Sequence, residues 1–215
     1  MTQVSKLPKA ASINDSRVSG PGSGHARFEV HLTTGPIATQ DLPAFEELAR
    51  QLDTRALLIQ LPEGQYPLQP MLSFEHEGEL GVALAHAGEV AAKAERMGYP
   101  ICRCKIECQA EADASVHAAG HYLEWHGRIA VAGTELAALA ARCRQHGAHL
   151  SNNALKGNAA RYVTMREPSS LPRLRERVTM LCSELETRAW RFDKQQWECV
   201  MFDSNLPLDA GWLEA

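Results

Sequence analysis

The chain has 215 residues, 45% of them hydrophobic and 22% charged, with a formal net charge of −4. That length and balance suit a soluble protein of one compact or two small domains with a buried core. They argue against an extended nucleic-acid surface, which needs clustered Lys and Arg, and no apolar run is long enough to span a bilayer.

Residues 1–24 lack the apolar stretch of a signal peptide and are rich in Pro, Gly, Ser and small polar residues, so a disordered leader and a cytoplasmic protein are expected. RFEVHLT (27–33) reads as a strand. TQDLPAFEELARQLD follows as a helix, with Asp41 as N-cap, Pro43 in the first turn and Phe45, Leu48, Ala49 and Leu52 on one face. RALLIQL (55–61) is a β-rich run broken by the Gly- and Pro-bearing EGQYPLQP, and MLSFEHE (71–77) returns as a strand. An Ala-rich helix then stops at Gly98, and ICRCKIECQ (101–109) is a strand.

The same order recurs in the second half. YLEWHGRIAVA (122–132) is a strand and TELAALAARCRQHG a helix, with Leu136, Leu139, Ala140 and Cys143 inward and Gly147 as its stop. AHLSNNAL and ARYVTMRE are short strands around a Lys156-Gly157-Asn158 turn. The last helix has Ser170 as cap and Pro172 in its first turn, and QQWECVMFD (195–203) closes the half. Corresponding elements are offset by roughly 90–95 residues, the mark of an internal repeat. The expected fold is therefore α+β, two tandem ferredoxin-like βαββαβ units forming a pseudo-dimer. The boundaries are a first half at 25–110, a linker at 111–120, a second half at 121–205 and a C-terminal tail at 206–215, with Trp212 as a docking anchor. Six cysteines form no C-x-x-C and read as free thiols; no metal or cofactor is expected, and the oligomeric state is left open.

Strand alternation sorts the polar residues, because i and i+2 share a face. Phe28, Val30 and Leu32 oppose Arg27, Glu29, His31 and Thr33. Cys102, Cys104, Ile106 and Cys108 oppose Arg103, Lys105, Glu107 and Gln109. Leu123 and Trp125 oppose Tyr122, Glu124, His126 and Arg128. One reading makes these rows solvated sheet faces of a non-catalytic interaction or scaffold protein, with cross-strand pairs worth a few tenths of a kcal/mol. The other makes them a groove in which Glu29, Lys105, Glu124, His126 and Arg128 bind a ligand and histidine serves as acid or base. The polar run 149–161 adds Lys156 and Arg161 as anion contacts. The leading expectation is a small anionic ligand, a phosphate ester or nucleotide, held between the halves; whether the protein is an enzyme stays open.

Two resemblances attach to these residues. His31-Leu32-Thr33 and His149-Leu150-Ser151 resemble the His-Φ-Ser/Thr signature of two-histidine phosphoesterases. That resemblance implies His31 and His149 as general base and acid, with Thr33 and Ser151 holding phosphate oxygens across one cleft. The chain departs from the pattern: the repeat makes His126, followed by Gly127-Arg128, the counterpart of His31, and Thr34 and Asn152 stand where an apolar residue usually comes next. The FEVH strand, the KIE of 105–107 and the DSN…LDAGW ending also resemble a bacterial family with tandem ferredoxin-like halves, to which no activity attaches.

Overall fold

The computed structural model describes residues 26–110, 121–157 and 160–213. The expected leader and linker lie outside the described residues, as does Asn158 of the expected turn. Strands β1 (Ala26–Thr34), β2 (Arg55–Gln60), β3 (Leu68–Gly78) and β4 (Ile101–Gln109) make the first half, with helices α1 (Leu42–Gln51) and α2 (Leu80–Arg96). Strands β5 (Tyr122–Ile129), β6 (Ala148–Asn153), β7 (Arg161–Glu167) and β8 (Phe192–Asp203) make the second, with α3 (Leu136–Gln145) and α4 (Leu171–Glu186).

The helix ends follow from local chemistry. Ser170 accepts a hydrogen bond from the Arg173 backbone N–H and Pro172 sits in the first turn of α4. Asp41 stands at the N-cap of α1 but makes no side-chain cap bond, because the 3-10 turn Thr39–Asp41 leads into the helix and turns its backbone α-helical. Gly98 and Gly147 take positive φ just past α2 and α3, where a Cβ would strain the chain.

All the strand pairings are antiparallel, and the strands close into a barrel in the order β1-β3-β2-β6-β7-β5-β8-β4. Within each half the order is fourth-first-third-second; the halves join where β2 meets β6 and β4 meets β8. The apolar rows of the strands face outward beneath the helices. Phe28, Val30, Leu32, Cys104 and Ile106 pack with Phe45, Leu48, Ala87 and Ala91. Leu123, Trp125, Val163 and Met165 pack with Leu139, Leu174, Val178 and Leu181. The polar rows have no helix to cover them, and closing the barrel turns them inward.

The second core is tight enough to test. A Cβ at Gly127 would lie 2.5 Å from Trp125 Cη2 and 2.6 Å from Phe192 Cδ1, two rings in an edge-to-face pair with centroids 4.9 Å apart. Neither ring can retreat without opening that pair. Gly127→Ala is expected to lower the unfolding free energy by about 1–3 kcal/mol, the usual cost of overpacking, as read from urea denaturation.

Candidate functional site

The barrel encloses a cavity of about 410 Å³, whose wall includes Glu29, His31 and Thr33 from β1, Arg103, Lys105 and Glu107 from β4, and Glu124, His126 and Arg128 from β5. The alternation that buries the apolar rows outside places these residues inside. Burial of the central members excludes fully solvated sheet faces, with Glu124 1% exposed and Glu107 and Arg103 each 3%, although Arg128 stays exposed. The scaffold reading with open polar faces fails here because each half covers the other's polar face.

At the centre, Lys105 Nζ lies 2.6 Å from Glu107 Oε1 and 2.6 Å from Glu124 Oε2. His31 Nε2 reaches Glu107 Oε2 at 3.0 Å. His126 Nε2 lies 3.2 Å from Glu124 and 3.1 Å from Glu198, and its Nδ1 hydrogen-bonds Thr164 Oγ1 at 2.9 Å. A Glu-Lys-Glu bridge thus crosses from one half to the other, with one histidine at each end. Beside Glu124, Arg166 donates to Glu124 at 2.9 Å and to Asp209 at 2.6 Å. Arg103 donates to Asp209 at 2.9 Å and to Asp203 at 2.6 Å, and the Tyr122 hydroxyl donates to Asp203 at 2.7 Å. Trp212 lines the wall nearby, its indole N–H donating to the Leu150 carbonyl at 3.1 Å.

The electrostatics follow from burial of mutually paired charges. Burial works to raise Glu107, but the Lys105 charge and the His31 hydrogen bond outweigh it and bring the carboxyl down to about 2. Glu124 is held well below its ordinary value against the same burial by Lys105 and Arg166. Burial pulls the His126 imidazole down, yet Glu198 and Glu124 push it up to about 10. His126 is therefore a standing cation at neutral pH, a group that orients and balances charge.

Glu107, Glu124 and His126 bring ligand atoms within 4.8 Å of one another, which is metal-site spacing. Lys105 stands between the two carboxylates, where its ammonium fills the place a divalent ion would take.

Of the residues singled out by sequence, Glu29, His31, Thr33, Lys105, Glu124, His126, Arg128, Ser151 and Lys156 line the cavity. His149 and Arg161 do not. The His149 ring packs 6.3 Å from that of Trp212, and its Nδ1 lies 3.6 Å from Glu63. Trp212, brought in by the C-terminal segment, forms the wall there instead. The paired-histidine cleft implied by the His-Φ-Ser/Thr motifs is therefore not assembled. Arg161 donates to the Ala160 carbonyl and belongs to the outer row of β7, whose inner row is Tyr162, Thr164 and Arg166. That inner row and the Lys194-Gln196-Glu198 row of β8 went unread in the sequence, although the same alternation marks both.

No family model matches the chain, and no curated protein matches it. Among solved structures, it is similar to a candidate monooxygenase from Fusobacterium nucleatum, at 8% identity and a TM-score of 0.35, with 89% of this chain and 99% of that one covered. It is similar to a heme-binding protein from Thermus thermophilus at 10% identity and a TM-score of 0.31, covering 83% and 92% of the two chains. A candidate monooxygenase from Lactobacillus acidophilus matches at 10% identity and a TM-score of 0.28, covering 82% and 93%. Likeness at this level says nothing about what this cavity holds. Among the described residues no helix is long and apolar enough to cross a membrane.

Proposed function

We propose that the protein binds a small anionic organic molecule, a phosphate ester or nucleotide, inside the barrel. The observation that carries this reading is the sign of the cavity's spare charge. The carboxylates lining it are each engaged: Glu107 and Glu124 by Lys105, Glu198 by His126, Asp209 by Arg103 and Arg166, Glu29 by Arg55, and Glu75 by Arg27. Lys156 and Lys194 line the same wall, and among the described residues neither makes an ion pair. Cations without a carboxylate partner along a concave wall set up a positive field that draws in anions. Leu57, Ile59 and Met71 supply an apolar patch for the rest of the ligand, and about 410 Å³ is within the range of small-molecule sites.

The element and strand orders of the two halves support the finer fold reading, tandem ferredoxin-like units at 25–110 and 121–205 whose open faces meet as a pseudo-dimer. On that reading the cavity is the interface of the duplication, and its two histidines are repeat equivalents.

Titration calorimetry with nucleoside monophosphates, sugar phosphates and matched dicarboxylates tests the ligand class. The expected result is saturable binding of a phosphate ester, weakened at least about tenfold, or about 1.4 kcal/mol, by Lys156→Glu combined with Lys194→Glu. Both side chains are exposed, so the fold should persist. Absence of saturable binding across the phosphate esters, or binding that is indifferent to the charge reversal, would reject the reading.

A further inference from the structure

Cys108 of β4 and Cys199 of β8 face each other directly across the seam that joins the halves. Directly opposed residues of an antiparallel pair have Cα atoms about 4.5 or 5.5 Å apart, inside the roughly 4.4–6.8 Å span that disulfides occupy. Both belong to the outer face of the barrel: Cys108 is buried in the first-half core, and Cys199 packs against both cores. They are also in contact, since a hydrogen bond with Cys108 acts on the Cys199 thiol. Cys199 in turn reaches Met201 Sδ at 3.5 Å.

From this juxtaposition we infer that Cys108 and Cys199 form a dithiol site that a hydroperoxide oxidises to a disulfide, linking the two halves covalently. Access exists. Cys199 is only partly buried, and its partner Cys108 lines a second cavity, of about 390 Å³, together with Phe28, Gln109 and Trp197. The chemistry also distinguishes the partners. The Cys108 hydrogen bond stabilises the thiolate form of Cys199 against the opposing effect of burial, so that its thiol lies below the ordinary value. Burial raises the thiols of Cys102, Cys104, Cys143 and Cys182 instead. Thiolate character selects the attacking sulfur.

The step balances with the hydroperoxide as oxidant. The Cys199 thiolate attacks the distal peroxide oxygen; the O–O bond breaks, a sulfenic acid forms, and hydroxide or alkoxide leaves and takes up a proton. The Cys108 sulfur then attacks the sulfenic sulfur; the S–S bond forms, the S–O bond breaks, and water leaves. Overall, two thiols give up two electrons and two protons, and hydrogen peroxide becomes two waters. The bond would fix Glu107 and Glu198, the neighbours of these cysteines on the cavity side, at one separation.

The test treats the reduced full-length chain with one equivalent of hydrogen peroxide, alkylates the remaining thiols, and maps the peptides by mass. The expected product has lost the mass of two hydrogens and two alkylatable thiols, with Cys108 and Cys199 in one crosslinked peptide. Cys108→Ser should stop at a sulfenic acid on Cys199 that dimedone traps, while Cys199→Ser should leave Cys108 reduced. A crosslink between any other pair overturns the inference, as does a wild-type chain that retains both thiols or is oxidised further without a crosslink. The wild-type map decides the matter even if a variant fails to fold.

Discussion

Arg103→Ala should cost the fold about 3–5 kcal/mol, the usual penalty for leaving a buried charge without its partner. The guanidinium holds Asp203 at 2.6 Å and Asp209 at 2.9 Å, and the pairs lie almost wholly out of water. Removing it leaves two buried carboxylates with Tyr122, the Asn205 backbone N–H and Arg166 to receive them, and of these only Arg166 carries a charge. Urea denaturation gives the number. Combining Arg103→Ala with Asp209→Asn should recover part of the loss, because one of the stranded charges is then gone; such coupling is expected of groups in direct contact. Arg128→Ala is the control: its pair with Asp193 is exposed on both sides and should not measurably change stability. Equal losses for Arg103→Ala and Arg128→Ala would contradict a structural role for the buried network.

This network shows where the sequence was legible and where it was not. Alternation is local, so RFEVHLT and YLEWHGR disclosed which residues share a face. The helices followed from caps, periodicity and Gly98 and Gly147. Barrel closure was not legible, because it depends on β2 meeting β6 and β4 meeting β8, pairings between strands far apart in the chain. Arg103 and Asp209 are 106 positions apart, and nothing near either residue announces the other. Asp203 and Asp209 are close neighbours in the chain, but only in space does a guanidinium lie between them. His149 misled for a related reason. A tripeptide motif gives a residue's chemistry and its strand face, but not that a tryptophan from the C-terminal segment will occupy the wall in front of it.

Stability should depend on pH through both ends of the Glu-Lys-Glu bridge, in opposite directions. Glu107 falls from an ordinary 4.5 to about 2 on folding. Its contribution is complete above pH 4.5 and disappears as pH falls through 2, because the unfolded chain takes up the proton first. His126 rises from 6.5 to about 10. Its contribution is complete below pH 6.5 and disappears as pH rises through 10, because the unfolded chain loses the proton first. Maximum stability should therefore span roughly pH 4.5 to 6.5, and every tenfold change in a group's proton affinity on folding corresponds to about 1.4 kcal/mol before relaxation of the site. The alkaline limb is best read between pH 6.5 and 9, below the ordinary thiol value of 9.0 at which the buried Cys104 and Cys143 begin to contribute. Over that range His126→Gln should flatten the decline in the denaturation midpoint while leaving the acid limb steep. A variant that keeps the full alkaline slope would show that the imidazole between Glu124 and Glu198 is not the cation this geometry requires.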